Sequence, residues 1–213
     1  MPARFELNGV FLSGPTYKVG LMLALAGEAF DYVHVNLAGG EHKQPPYLAR
    51  QRYGQVPLLV DRSNGRHLSQ SAAIMEYLAD TLGKFGGATL DERLQVREWL
   101  YWDFDRLTPY IYRARGIRLG FMKGGQETLD LCEAYAASSL KMLERHLAGR
   151  DWIVGESPTI ADIDVYGVLA YAAEAAVDLA PYTNVSAWIG RVEALPGFAR
   201  PTDLLPPESR VAA

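Results

Sequence analysis

The feature that most constrains this chain is a change of pattern near residues 80–90. Before it, short runs with strand-like alternation take turns with helical runs; after it, every periodic segment is helical. A chain divided this way folds as a mixed α/β unit followed by an all-helical one. Its 213 residues suit two small domains. The division is expected at 1–82 and 90–213, with TLGKFGGATL, which holds three glycines, as the linker.

In the first half, RFELNGVF, with Phe5 and Leu7 on one side, is a short strand. FLSGPT is a turn, and Pro15 suits the first helical position, where a missing N–H does no harm. Val19, Met22, Leu23 and Ala26 predict an amphipathic helix over 15–26, ended by Gly27. DYVHVNL is a second strand, with Val33, Val35 and Leu37 alternating against Tyr32 and His34. Residues 36–54 read mainly as loop. QVPLLVDRSNGRHLS is a hairpin whose turn uses Asn64 and Gly65 for positive φ. QSAAIMEYLAD is helical, with Ile74, Met75 and Leu78 on one face. The order β-α-β, long link, β-β-α is that of a thioredoxin-like domain, in which the crossover makes the first two strands parallel.

In the second half, a helix starts near Asp91 and Pro109 kinks or divides it. Residues 126–148 form the cleanest helix, with Leu129, Cys132, Ala136, Leu140, Leu143 and Leu147 stepping by three and four. Further helices are expected over 160–176 and 185–195, and Pro196-Gly197 stops the last. The tail PTDLLPPESRVAA reads as irregular. In SPTIADIDVYGVLAY, Thr159 and Asp162 have the spacing of a capping box ahead of an almost wholly apolar helix. That helix belongs in a core, so its end must be satisfied by protein groups.

Composition removes several classes. Apolar residues make up 49 % of the chain, which places it among globular proteins. The net charge of -4 argues against a nucleic-acid scaffold. Cys132 is the one cysteine, so no intrachain disulfide, CxxC pair or cysteine-based metal cluster is available. It reads as a small buried hydrophobe. MPARFELNG lacks the basic and apolar regions of a signal peptide, and no uncharged apolar run reaches membrane-spanning length. The expectation is a cytoplasmic protein with no membrane or nucleic-acid partner.

Four segments in order, SGPTYKV before a helix, YGQVP, QSAAIMEYL and SPTIADI, resemble the glutathione transferase superfamily over almost the whole chain. The resemblance implies a thioredoxin-like glutathione-binding domain, an all-α domain and a homodimer. It also implies glutathione as cosubstrate with no metal. It places Ser13 at the sulfur, with Thr16 as the alternative hydroxyl. It puts Gln55, Val56 and a cis Pro57 along the tripeptide backbone. Gln70 and Ser71 fall at the γ-glutamyl end, and His42 and Lys43 near the glycyl carboxylate. The sequence departs from the family in having QRYG where Asn-Pro usually precedes this segment, and in having Gln70 where many members carry Glu.

A free thiol titrates near 8.5, so little of it is nucleophilic at neutral pH. A serine hydroxyl that donates to the thiolate, with helix N–H groups beside it, favours the anion. No protein nucleophile is then needed, because the cosubstrate carries it. The electrophile, expected to be small and apolar, is placed between the domains. Phe11 and the stripe Trp102, Arg106 and Tyr110, at i, i+4, i+8 of one helix, are the candidates to line that pocket. Ser13 can equally be a turn serine bonded to its own backbone, Gln70 and Ser71 can be a plain helix start, and the stripe can be core packing. The activity implied is conjugation of glutathione. Glutathione-dependent isomerisation or reduction, or a non-catalytic binding role, is the alternative.

Overall fold

A computed structural model describes residues 2–211. The chain forms two compact units: Met1–Lys84 together with Pro196–Ala213, and Phe85–Leu195.

The first unit is built on a four-stranded sheet, β1 (Phe5–Gly9), β2 (Phe30–His34), β3 (Leu58–Asp61) and β4 (Arg66–Ser69), in the order β2-β1-β3-β4. The β1–β2 pair is parallel and the other two pairs are antiparallel, as the crossover and the hairpin require. α1 (Gly14–Ala26) and α3 (Ser71–Leu82) pack against each other on one face, where Gly20 of α1 approaches Leu7. On the other face Val35, Leu58 and Val60 pack with Tyr47 of the short helix α2 (Pro45–Leu48).

Several expectations about this unit need correction. α1 is not amphipathic: Thr16, Tyr17 and Lys18 are buried along with its apolar residues. The reason is that it is covered both by α3 and by the C-terminal segment. Residues 36–54 are not only loop, because a 3₁₀ turn (Glu41–Lys43) precedes α2, whose start Pro45 and Pro46 favour. In the hairpin turn only Gly65 has positive φ, at 70°. Asp61 organises that turn instead, accepting from Ser63 N and Oγ at 2.9 and 2.6 Å. The tail is also more ordered than its composition suggests. Tyr17 donates to the Ala199 carbonyl at 2.9 Å. α9 (Pro201–Leu204) rests on α1, and Arg210 bridges to Tyr32 on the outer edge of β2. Residues 196–213 therefore group with the first unit, although the second domain was expected to run to 213.

The second unit holds α4 (Leu90–Trp102), α5 (Thr108–Arg118), α6 (Gln126–His146), α7 (Ile160–Leu169) and α8 (Thr183–Glu193). Thr89 starts α4 with a full capping box to Glu92. Pro109 does divide the helix, through a π turn over Asp103–Leu107 that precedes α5. Proline cannot donate to the carbonyl four residues back and its ring crowds it, and a wider turn relieves both problems. α6 buries Cys132, Ala136, Leu140 and Leu143 as expected, while Leu129 is half-exposed. α7 is shorter than its apolar run: it stops at Leu169, and residues 170–176 are turns ending on Ala176 at φ 56°.

The α7 capping box is present and extended. Asp162 Oδ2 accepts from Thr159 N at 2.8 Å and from Thr159 Oγ1 at 3.1 Å. Its Oδ1 accepts from Ile153 N at 2.9 Å and from Trp188 Nε1 at 2.8 Å. Burial pushes the Asp162 carboxyl above its ordinary range, and these four donors pull it back. No helix among the described residues is long and apolar enough to cross a membrane.

Candidate functional site

The strand register brings the candidate residues of the first unit to one end of the sheet. Asn8 pairs with Leu58, and Leu58 with Ser69. The turn after β1, the segment before β3 and the turn after β4 therefore open at the same edge. Gly9 pairs with His34, so the link after β2 begins there too. Ser13, then His42-Lys43 with Gln55-Val56-Pro57, and Gln70-Ser71 lie on or at the end of three connections, those after β1, between β2 and β3, and after β4.

Ser13 is the N-cap of α1, with Pro15 inside the first turn. Its Oγ accepts the Thr16 amide at 3.2 Å, and its carbonyl takes the Tyr17 amide at 2.9 Å. The reading of Ser13 as a turn serine bonded to its own backbone therefore holds, and it does not use up the hydroxyl. An Oγ that accepts from the helix still has its own hydrogen to donate outward. The residue is half-exposed. Thr16 differs: it is fully buried, its Oγ1 has no hydrogen-bond partner, and it lies over Gly9. A Cβ at Gly9 would come within 2.2 Å of Thr16 Cγ2 and 2.5 Å of Oγ1, so glycine is what lets α1 start so close to β1.

The Val56-Pro57 peptide is cis. The Gln55 carbonyl accepts from Tyr47 Oη at 2.8 Å, and the Gln55 side-chain oxygen lies 3.4 Å from Gln70 Nε2. Gln70 is the N-cap of α3 with φ 69°, a left-handed value that a glutamine adopts only when its surroundings impose it. No side chain caps α3, so the N–H groups of its first turn are available to an anion. Ser71 is buried directly behind Gln70. In the link after β2, Lys43 Nζ donates to the Gly54 carbonyl at 2.7 Å, and His42 Nδ1 is buried without a partner.

The other candidates are less tightly grouped. Phe11 is half-exposed in the turn after β1. Trp102, Arg106 and Tyr110 do not form one continuous stripe, which corrects the sequence reading. Trp102 ends α4, Arg106 sits in the π turn and Tyr110 belongs to α5. A π turn holds one extra residue and rotates the helix after it by roughly 100°. Arg106 is exposed and pairs with Asp105 at 2.6 Å. Tyr110 stacks on Tyr135 with centroids 4.3 Å apart and lines a small cavity with Arg118 and Cys132. Burial pushes the Cys132 thiol up, away from reactivity. Among the described residues there is no group of three or more His, Cys, Asp or Glu that could hold a metal ion.

Comparison with known proteins bears on the family and the fold. The glutathione S-transferase N-terminal domain matches residues 10–80, and the C-terminal domain matches residues 126–191. A maleylacetoacetate isomerase of Rhizobium meliloti is 32 % identical over 197 residues, 88 % of this chain and 91 % of that protein. The chain belongs to the glutathione S-transferase superfamily. It is an enzyme of that family. Glutathione S-transferase F9 of Arabidopsis thaliana is 32 % identical over 147 residues, 64 % of this chain and 66 % of that protein. A solved glutathione S-transferase of Pseudomonas fluorescens superposes with a TM-score of 0.88 at 30 % identity, covering 94 % of this chain and all of that one.

Two residues of this site, Tyr47 and Gly9, were not singled out from the sequence. Tyr47 lay in a segment read as loop, and a glycine at a strand end carries no signal until the helix above it is placed.

Proposed function

We propose that this member of the superfamily conjugates the glutathione thiolate to small apolar electrophiles, with Ser13 as the hydroxyl that stabilises the sulfur anion. The state of Ser13 carries the reading. Its oxygen is engaged by the Thr16 amide while its hydrogen is left to donate, and accepting one bond makes a hydroxyl a better donor. A hydroxyl donates strongly to a thiolate and weakly to a thiol, so it lowers the thiol pKa; the N-terminus of α1 acts in the same direction. Bound glutathione supplies the nucleophilic sulfur. Gln70 and the uncapped first turn of α3 receive the γ-glutamyl end, where a neutral amide makes a weaker contact with the ammonium than a carboxylate would. Gln55-Val56 aligns the tripeptide backbone, and His42 and Lys43 approach its glycyl carboxylate. Phe11, half-exposed in the turn after β1, is the residue of the first unit that meets the electrophile. Thr16 is the weaker candidate for the sulfur, because it is fully buried.

Ultraviolet thiolate absorbance against pH, measured on the glutathione complexes of Ser13→Ala and Thr16→Ala, tests this. Ser13→Ala should raise the bound thiol pKa by about 1–2 pH units and slow neutral-pH turnover by about ten- to a hundredfold. A normal titration in Ser13→Ala, with a raised one in Thr16→Ala, would move the role to Thr16. The relative named as an isomerase favours a second reading, glutathione-dependent isomerisation. Conjugation consumes glutathione and isomerisation returns it, so the stoichiometry separates them. Absence of turnover with every electrophile would make the protein a binding member of the family.

The reading includes a homodimer. Leu90, Leu94 and Tyr101 share a face of α4 and are 65 %, 47 % and 73 % exposed, a surface that a two-fold copy would cover. Light scattering that reports the monomer mass of 23.5 kDa at micromolar concentration would refute it.

A further inference from the structure

The strand order leaves β2 at one edge of the sheet. Beside a parallel neighbour, the main-chain groups of successive residues point alternately toward that neighbour and away from it. Val35 donates to the Gly9 carbonyl on the β1 side, so the main-chain groups of Tyr32 and His34 face outward. An outward row of this kind is a template for another strand. Ser209 and Arg210 occupy it. Tyr32 N donates to the Arg210 carbonyl at 2.7 Å, and Arg210 N donates to the Tyr32 carbonyl at 2.8 Å, an antiparallel pair. The His34 amide donates to Ser209 Oγ at 2.9 Å, and the Arg210 guanidinium lies 5.4 Å from the centre of the Phe30 ring. What precedes this segment is held differently. Leu204 and Leu205 are 6 % and 1 % exposed and lie near Gly20 of α1, whereas residues 207–211 are exposed. Past Leu205 the chain is tied by polar contacts at one edge rather than by a buried apolar face, and contacts of that kind open at low cost. Pro206-Pro207, which favours an extended chain, separates the apolar anchor from the docked strand.

We propose that the outer edge of β2 is a strand-docking site with residues 208–211 as its resident occupant, and that it accepts in their place an extended peptide carrying a small hydroxyl residue followed by arginine. The main-chain pair at Tyr32 supplies affinity without sequence preference, as wherever a peptide adds a strand to a sheet. The two side-chain contacts supply the preference. A hydroxyl reaches the His34 amide, and a guanidinium covers the Phe30 ring. Docking there does not depend on the glutathione reading, because none of these residues takes part in it.

The test uses full-length protein. Arg210→Pro unseats the resident segment, because proline has no N–H to give the Tyr32 carbonyl. The probe is a fluorescent, end-blocked peptide of the resident sequence PPESRV. Anisotropy should show saturable binding to Arg210→Pro and at least about tenfold weaker binding to the wild type, whose own segment competes at high effective concentration. Alanine in place of serine in the probe should weaken it about three- to tenfold, for one lost hydrogen bond. Amide exchange at Tyr32 and His34 should be slow in the wild type, fast in Arg210→Pro and slow again with saturating probe, while Leu7 and Leu59 stay unchanged. Ser209→Ala keeps the pair at Tyr32 and should release His34 more than Tyr32. Equal exchange at Tyr32 and His34 in the wild type and both variants would show that the segment does not hold the edge, and overturns the proposal. An edge that opens in Arg210→Pro yet regains no protection at millimolar probe overturns it as well. Equal binding of the probe to the wild type and Arg210→Pro would place it elsewhere on the protein and remove the docking site.

Discussion

Replacing Asp162 with alanine should destabilise the protein far more than any ordinary cap mutation. An N-cap threonine or aspartate normally serves one or two amides of its own helix, and losing it costs about 1–2 kcal/mol. Asp162 serves more. Its carboxylate is 1 % exposed and accepts two main-chain N–H groups, Thr159 and Ile153, and the indole N–H of Trp188. Asp162→Ala leaves three buried N–H donors without acceptors, besides the Thr159 hydroxyl, which can rotate, and each N–H costs about 1–3 kcal/mol. Allowing for relaxation, the expected loss is about 3–6 kcal/mol, a large part of the roughly 5–15 kcal/mol that holds a domain together. Thr159→Ala removes one hydroxyl and leaves the carboxylate contacts to Ile153 and Trp188, so it should cost about 1–2 kcal/mol. Asp162→Asn keeps one acceptor oxygen but turns an NH₂ toward the donors, and should fall between them. Urea midpoints and slopes at one pH measure all three, and indole fluorescence follows Trp188. Equal losses in Asp162→Ala and Thr159→Ala would refute the idea that the aspartate joins three segments rather than capping one helix.

Burial alone would raise the Asp61 carboxyl, but hydrogen bonds from Arg4, Ser63 and Tyr77 outweigh it and hold the group well below the usual carboxylate range. Its stabilising contribution is therefore complete above the unfolded-state value near 3.9 and is lost as pH falls toward the folded-state value. The urea midpoint of Asp61→Asn should change less with pH than that of the wild type below about pH 4; parallel curves would exclude Asp61 as a source of acid lability. Gly9→Ala should destabilise strongly because its Cβ would meet Thr16. The loss should be partly relieved in the Thr16→Ala background, and strictly additive losses in the double-mutant cycle would contradict the contact. Truncation after Leu205 removes the Arg210 bridge to Tyr32 and the Ser209 Oγ contact with the His34 amide at 2.9 Å. The Tyr32 and His34 amides should then exchange faster than in the full chain, and unchanged rates would show that the tail does not protect the β2 edge.

Much of this fold can be read locally. Val19, Met22 and Leu23 announce a helix, and Gly27 ends it at φ 75° because glycine carries no left-handed penalty. The hairpin comes from two alternating runs around a turn sequence, and Thr159 with Asp162 marks a helix start by spacing alone. These features depend on residues within a few positions of one another, and backbone sterics and capping act over that range. The family segments SGPTYKV, YGQVP and QSAAIMEYL pointed to the connections that carry most of the candidate site for the same reason: each is a local backbone requirement.

What the sequence could not determine depends on groups that meet only after folding. The apolar run of α7 continues past Leu169, yet the helix stops there. Pro109 signals a break, but the π turn that answers it also buries Asp103 with the Thr108 hydroxyl 2.7 Å away. The tail looks irregular because the α1 surface and the β2 edge that order it lie far away in the chain. The sequence puts Ser13 first and leaves Thr16 as its alternative; packing over Gly9 buries Thr16 and leaves Ser13 half-exposed. Lys43 stays exposed, and only the fold shows that its Nζ donates to the Gly54 carbonyl. Local pattern selects the elements because propensities and caps act within a turn or two, whereas burial and long-range hydrogen bonds decide which polar atoms remain available for chemistry.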